Sequence, residues 1–305
     1  MCPARILVGV DDSIGARAAL RWALRQAKAT GAEVDAVRAY AFEIAWIDHD
    51  QRDERLEEWK SRSCRDARAE LHRVVDEVVA DVATSPDFEP VPDVQALVVE
   101  GQPARVLVDL AREADLLVVG RRRRGRIGGL LLGSVSQRCV ERSSCATAVV
   151  TADAPVKRIV VGVDGSASAQ AALAWAVQEA AITSAVVEAV CAYVSTIAVS
   201  PHPAVPTVSM ERFREGASRI LRDAILRVEV PAGVTISPVV SWGQAADVLS
   251  ACAADADLVV MGTRGLGGVK GLLLGSVTHR VMTRVGCPVV VLPARTREKV
   301  PQTVG

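Results

Sequence analysis

The sequence predicts two tandem doubly wound α/β domains, each a five-stranded parallel sheet flanked by helices, related by pseudo-twofold symmetry. Three observations lead there. Gly243–Leu292 repeats Gly101–Val150 at a constant offset of 142 residues, with 24 of 50 aligned positions identical. Upstream, Ile159-Val-Val-Gly-Val-Asp164-Gly-Ser166 repeats Ile6-Leu-Val-Gly-Val-Asp11-Asp-Ser13 at an offset of 153, and Trp175 repeats Trp22. Solenoid units run to about 20–50 residues, so a repeat of this length is a whole domain present twice. The length itself, 305 residues, accommodates two domains of about 150. Finally, continuous Val/Ile/Leu runs mark strands buried on both faces, hence a parallel sheet, and they alternate with helical stretches.

In the first copy the strand-like runs are Arg5–Val10, Glu33–Tyr40, Val94–Val99, Leu116–Val119 and Thr147–Val150. Between them the helical stretches are Ala16–Thr30, Asp53–Val82, Pro103–Glu113 and Ser134–Arg142. In the first of these Ala19, Trp22, Ala23 and Gln26 recur at helical spacing. The second copy reads Arg158–Val163, Val186–Tyr193, Val234–Val240, Leu258–Met261 and Pro288–Leu292 as strands. Its helices are Ser168–Ala181, Met210–Val228, Ala245–Ala254 and Ser276–Val285. The domains are therefore placed at 1–151 and 156–293, joined by Thr151–Pro155. Residues 294–305, polar and without periodicity, form a flexible tail. Ser85–Pro92 and Ser200–Pro206 are loops. The two copies are expected to pack through their last strands, Ala146–Val150 beside Pro288–Leu292, and the chain to form a homodimer.

Hydrophobic residues make up 50% of the chain and aromatics 3%, so the cores are built from Ala, Val and Leu, with Trp22 and Trp175 among them. A formal net charge of zero argues against nucleic acid or an acidic membrane as partner. No apolar run approaches the roughly 20 residues of a membrane span. Met1-Cys-Pro-Ala-Arg leads straight into a strand, without a secretory signal. Seven cysteines with no C-x-x-C suit a reduced compartment, and Cys145 and Cys287 read as small core residues. The expected location is the cytoplasm. The histidines at 49, 72, 202 and 279 lack metal-ligand spacing.

Ligands of open parallel sheets sit outside the carboxyl ends of the strands. There the second copy places Gly162-Val163-Asp164 after its first strand and Met261-Gly262-Thr-Arg264-Gly265 after its fourth. Gly275-Ser276 then opens a helix. Glycines let backbone N–H groups approach a phosphate, and a helix start favours an anion. Lys270 and Arg264 would add charge. Gly128, Gly129, Gly268 and Gly271 read equally as loop flexibility. Asp11 and Asp164 could instead cap the following helices, although Ser13 and Ser166 stand ready for that task. The Walker A string is absent, and no G-x-G-x-x-G follows the first strand. Asp11-Asp12 is like the acidic pair of a receiver domain, but Gly165 replaces the second acid in copy two and no Lys follows the fourth strand.

The string Gly262-x2-Gly265-x9-Gly275-Ser276 resembles the ATP-binding signature of the universal stress protein family. Support comes from the first-strand Asp, from Gly-Gln-Pro-Ala and Gly-Gln-Ala-Ala before the third helix, and from Leu-Leu-Leu-Gly-Ser-Val in both copies. The resemblance implies that Gly162, Val163 and Asp164 line an adenosine pocket and that the backbone of Ala192 reads the adenine edge. Gly262, Gly265, Gly275, Ser276, Val277 and Thr278 would hold the phosphates, with Mg possible beside them, and Met261 and Arg264 would belong to the same ATP site. In copy one the matching residues are Gly9, Val10, Asp11, Ala39, Gly120, Gly133, Ser134, Val135 and Ser136. Arg123 stands where the second motif glycine belongs, within Arg121-Arg-Arg-Arg124. Either its guanidinium replaces backbone amides at the phosphate or the run is a solvated loop.

The resemblance thus implies an ATP-binding cytoplasmic regulator or sensor of stress or growth state, with adenine nucleotide as ligand and an unidentified protein partner. No general base or water-positioning group is evident in the motif, so catalysis is at most a weak ATPase. A slow ATP hydrolase is one alternative, although the Ser-Gly-Gly-x-Asp-Ser type loop of related hydrolases is absent. A protein-interaction module with incidental nucleotide binding is the other.

Overall fold

A computed structural model describes residues 4–41, 52–123, 130–194, 210–265 and 274–293. The chain divides into two units between Ala154 and Pro155. The first runs β1 (Arg5–Gly9), α1 (Ile14–Thr30), β2 (Glu33–Tyr40), α2 (Arg52–Ala83), β3 (Val94–Glu100), α3 (Pro103–Leu110) and β4 (Leu116–Gly120). A two-residue antiparallel ladder follows, β5 (Arg122–Arg123) against β6 (Leu130–Leu131), and then α4 (Ser134–Arg142) and β7 (Ala146–Val150). The second unit runs β8 (Arg158–Gly162), α5 (Ala167–Thr183), β9 (Val186–Tyr193), α6 (Met210–Leu226), β10 (Thr235–Trp242), α7 (Ala245–Cys252), β11 (Leu258–Gly262), α8 (Ser276–Arg284) and β12 (Val289–Leu292).

Within the first unit the strands lie in the order β3-β2-β1-β4-β7, all parallel. The second repeats this as β10-β9-β8-β11-β12. Each sheet is wound in both directions from its first strand, so the crevice between the ends of β1 and β4, or of β8 and β11, is the topological switch point. The central strands are continuous apolar runs because both faces are covered: Leu116, Leu117, Val118 and Val119 are 3% exposed or less.

Local chemistry sets the helix ends. The Ser13 and Ser166 hydroxyls accept from the N–H groups of Ala16 and Ala169 at 3.1 and 3.2 Å. These serines are the helix caps. Asp11 and Asp164 instead accept from the N–H groups of Ser13 and Ser166, two residues on, at 3.0 and 2.9 Å. At its far end α1 stops at Gly31 (φ 74°), whose N–H returns to the Ala27 carbonyl at 2.7 Å. Helices α3 and α7 stop earlier than their apolar periodicity suggests. Glu113 N–H bonds the carbonyl three residues back, and Ala253–Asp255 is a 3-10 turn. Strand β10 runs on past Val240 to Trp242 and carries Pro238, which an edge strand tolerates.

Trp22 is buried as expected, whereas Trp175 is only half-buried. Cys145 and Cys287 are likewise half-buried, at the approach to β7 and β12. Burial pushes the Cys139 thiol up to about 12 and the Cys191 thiol up to about 11, where the Asp164 charge adds to the effect. The thiolate is the reactive form. Both cysteines are therefore expected to resist alkylation in the folded chain at mildly alkaline pH and to react once it is denatured. Mass-spectrometric labelling checks this, and rapid native modification of Cys139 would contradict it.

Candidate functional site

At the carboxyl edge of the second sheet a pocket of about 360 Å³ brings together the second-copy site residues predicted from sequence, apart from Lys270, which lies outside the described residues. Strand β8 and the turn after it supply Gly162, Val163 and Asp164, and β9 supplies Ala192. The end of β11 supplies Met261 and Gly262, followed by Arg264 and Gly265. The start of α8 supplies Gly275, Ser276, Val277 and Thr278. Val190 and Leu249, which no motif announced, join Ala245 of the Gly-Gln-Ala-Ala string in an apolar wall, and Ser166 adds a hydroxyl.

His279 makes the first helical bond of α8, to the Gly275 carbonyl at 3.0 Å. The N–H groups of Ser276, Val277 and Thr278 therefore precede the helical ladder and form the cationic end of the helix dipole. The Thr278 hydroxyl donates to the Gly262 carbonyl at 2.8 Å, tying the helix start to the strand end. Its proton is thus committed, and the backbone N–H is what Thr278 offers a ligand. The Ser168 hydroxyl fixes the neighbouring turn by donating to the Arg264 carbonyl.

The glycines divide by purpose. A Cβ on Gly262 would lie 2.4 Å from Ser168 Oγ and 2.9 Å from Ser168 backbone carbon, so this glycine makes room for α5. Gly265, whose φ is not left-handed, lies against Asp164: a Cβ there would fall 2.2 Å from Asp164 Oδ2. It is therefore a cradle residue for the site carboxylate. Asp164 is half-buried in consequence.

The first sheet carries a corresponding pocket of about 330 Å³, lined by Gly9, Val10, Asp11, Ala39, Gly120, Gly133, Ser134, Val135 and Ser136. The Ser136 hydroxyl donates to the Gly120 carbonyl at 2.9 Å, the counterpart of the Thr278 bond. Three differences stand out. Arg121 replaces Thr263, and its side chain is 1% exposed in the pocket wall, so this member of the arginine run is not solvated. Arg38, opposite Cys191 in the repeat, also lines the pocket. Asp11 is exposed, unlike Asp164. The backbone of Arg123 lies in the β5–β6 ladder, while its side chain is outside what the structure describes. Arg124, Gly128, Gly129, Gly268, Lys270, Gly271, the loop 200–206 and the tail 294–305 also lie outside the described residues.

The sequence pattern of the universal stress protein family matches residues 4–151 and again 155–293. The chain belongs to the universal stress protein family. It is a tandem member. It is 31% identical over 294 residues to universal stress protein Rv2623 of Mycobacterium tuberculosis, covering 94% of this chain and 95% of that one. Against universal stress protein Rv2005c of the same organism it is 30% identical over 293 residues, covering 94% and 96%. Among solved structures, a universal stress protein from Archaeoglobus fulgidus superposes with a TM-score of 0.67 at 18% identity, covering 96% of this chain and 99% of that one. That likeness bears on the fold alone. Among the described residues of this universal stress protein, no helix is long and apolar enough to cross a membrane.

Proposed function

We propose that this universal stress protein binds ATP, with Mg at the phosphates, and acts in the cytoplasm as a nucleotide-dependent regulator or sensor. The second-domain pocket is the main site and the first-domain pocket a weaker one. One observation carries the reading: a single cavity joins an apolar wall of Val190, Ala192 and Leu249 to the open amides of α8. The first suits a nucleoside and the second a polyphosphate. Its volume of about 360 Å³ lies within the ~300–1,000 Å³ of small-molecule sites. Asp164 and Arg264 are the titratable groups among the described lining residues. The Asp164 carboxylate already accepts from Ser166 N–H, an arrangement that favours holding a nucleotide over activating a water.

Nucleotide released from the purified, denatured protein tests this directly. Bound ATP is expected. ADP would point to turnover, and no nucleotide together with no calorimetric binding of added ATP would overturn the reading. Ser276→Ala is expected to weaken ATP binding by about 1.5 kcal/mol, one hydrogen bond to a charged group. Gly265→Ala should leave stability nearly unchanged, because the clashing atom ends a movable side chain, yet reduce affinity by displacing the Asp164 carboxylate. Unchanged ATP affinity for Gly265→Ala in calorimetry would remove both Gly265 and its carboxylate neighbour from the site.

A further inference from the structure

We propose that β3, the edge strand of the first domain, is the surface through which two copies of this chain associate, β3 pairing antiparallel with its own copy about a twofold axis at Leu97. Among the described residues β3 pairs with β2 alone. Val94, Ala96, Leu97, Val98 and Val99 are apolar, yet each is only half-buried. The matching strand of the second domain, β10, pairs among the described residues with β9 alone and is likewise an edge. One position separates the two edges.

In a strand, each residue turns its N–H and C=O to the same side, and successive residues alternate sides. Gly101 N–H donates to the Tyr40 carbonyl at 2.8 Å, and Gly243 N–H to the Tyr193 carbonyl at 2.9 Å. The registers are unbroken from Val94 to Glu100 and from Thr235 to Trp242. Counting back in steps of two, Val99, Leu97 and Gln95 face β2, while Ser241, Val239 and Ser237 face β9. Val94, Ala96, Val98 and Glu100 therefore turn their backbone groups outward, as do Ile236, Pro238, Val240 and Trp242. Pro238 has no N–H to give, and its ring stands where an acceptor would approach, so β10 is closed to a further strand. Ala96 occupies that position in the first domain, and its N–H faces outward.

An outward row of donors and acceptors on an apolar strand is a template for a second strand. In antiparallel register about Leu97, Val94 faces Glu100 of the partner subunit and Ala96 faces Val98 of the partner subunit, so every outward group of these four residues is paired. Leu97 meets its own copy, Gln95 lies opposite Val99 of the partner subunit, and no like charges are opposed. Such an isologous contact closes at two copies. Pairing β3 with β10 of another copy would instead meet the donor that Pro238 lacks. Helix α2 packs over β2 and β3. Across the same axis it would lie about 10 Å from its own copy, at two strand spacings, which is the separation of packed helices. The contact therefore joins helix to helix as well as strand to strand, and buries more than a bare ladder, as a stable dimer requires.

Sedimentation velocity of the full chain is expected to show a species of twice 32.3 kDa at micromolar concentration. Ala96→Pro installs the residue of the second domain, keeps the bonds to β2 and removes one outward donor. With folding verified by circular dichroism, it should weaken self-association roughly tenfold or more, the effect of a hydrogen bond left unmade. Leu97→Cys tests the register without removing a bond. Cα atoms of a non-hydrogen-bonded pair lie about 4.5 Å apart, within disulfide reach, so mild oxidation should yield a covalent dimer. Val239→Cys, its equivalent on β10, and the unmodified chain should not. A chain that stays monomeric overturns the proposal, as does unchanged dimer affinity in folded Ala96→Pro or failure of Leu97→Cys to link. If Ala96→Pro does not fold, the cross-link decides alone.

Discussion

Gly120→Ala is expected to cost the first domain about 3 kcal/mol or more, the upper end of what overpacking does. A Cβ on Gly120 would lie 2.3 Å from the Gly15 carbonyl carbon, 2.5 Å from its oxygen and 2.6 Å from the Ala16 nitrogen. All three are backbone atoms of the first turn of α1, so no side chain can turn away. The contact is mutual, because a Cβ on Gly15 would meet the Arg121 carbonyl oxygen at 2.5 Å. Relief requires lifting the start of α1, which would disturb the Ser13 cap and the β1–α1 turn that holds Asp11. Chemical denaturation is expected to show an early transition for the first domain with the second unaltered. A midpoint matching the unmodified protein would show that α1 moves cheaply. Gly262→Ala should be milder, since its closest clashes are with the Ser168 side chain.

This ranking departs from what the motif alone suggests. Read as a string, the glycines all serve the approach of a phosphate. In the folded chain Gly120 and Gly262 answer to helix packing, and Gly265 answers to the Asp164 carboxylate. The strands were legible because burial on both faces leaves a continuous apolar run, as in Leu258–Met261. The site was legible through the end of β8, the end of β11 and the start of α8, where glycine, acid and serine recur at matched spacing. Its apolar wall was not, because Val190 and Leu249 look like any core residue until the fold sets them at a sheet edge. Arg121 was hidden in a charge run whose other members make it look solvated, yet it is buried. Arg38 is marked in the sequence only as a lone arginine inside the largely buried strand Glu33–Tyr40. The early ends of α3 and α7 had no glycine to announce them, since Ala111 and Ala253 follow the last helical residues.

The second-domain pocket is expected to be the tighter ATP site, with Asp164→Ala losing roughly a hundredfold in affinity, about 2.7 kcal/mol, and Asp11→Ala losing less. Two structural differences favour that order. Asp164 is half-buried under Gly265, while Asp11 is exposed, so water competes more for the first carboxylate. In the repeat Arg123 takes the place of Gly265, and a side chain set as Gly265 is would collide with the aspartate. The chain there runs instead into the β5–β6 ladder. Departing from the glycine turn forfeits backbone N–H contacts worth about 1–3 kcal/mol. Against this, an arginine pairing bidentately with phosphate would recover a similar amount. Arg121 is already buried in the pocket wall, but a buried charge is ordinarily compensated within the protein and adds less than its formal value. The loss of amides and the exposed carboxylate therefore outweigh the gain. Titration of ATP into Asp11→Ala and Asp164→Ala, each first shown to be folded, decides the matter. If the Asp11 variant loses more affinity than the Asp164 variant, the arginines of the first domain act as a phosphate clamp and the order of the two sites is reversed.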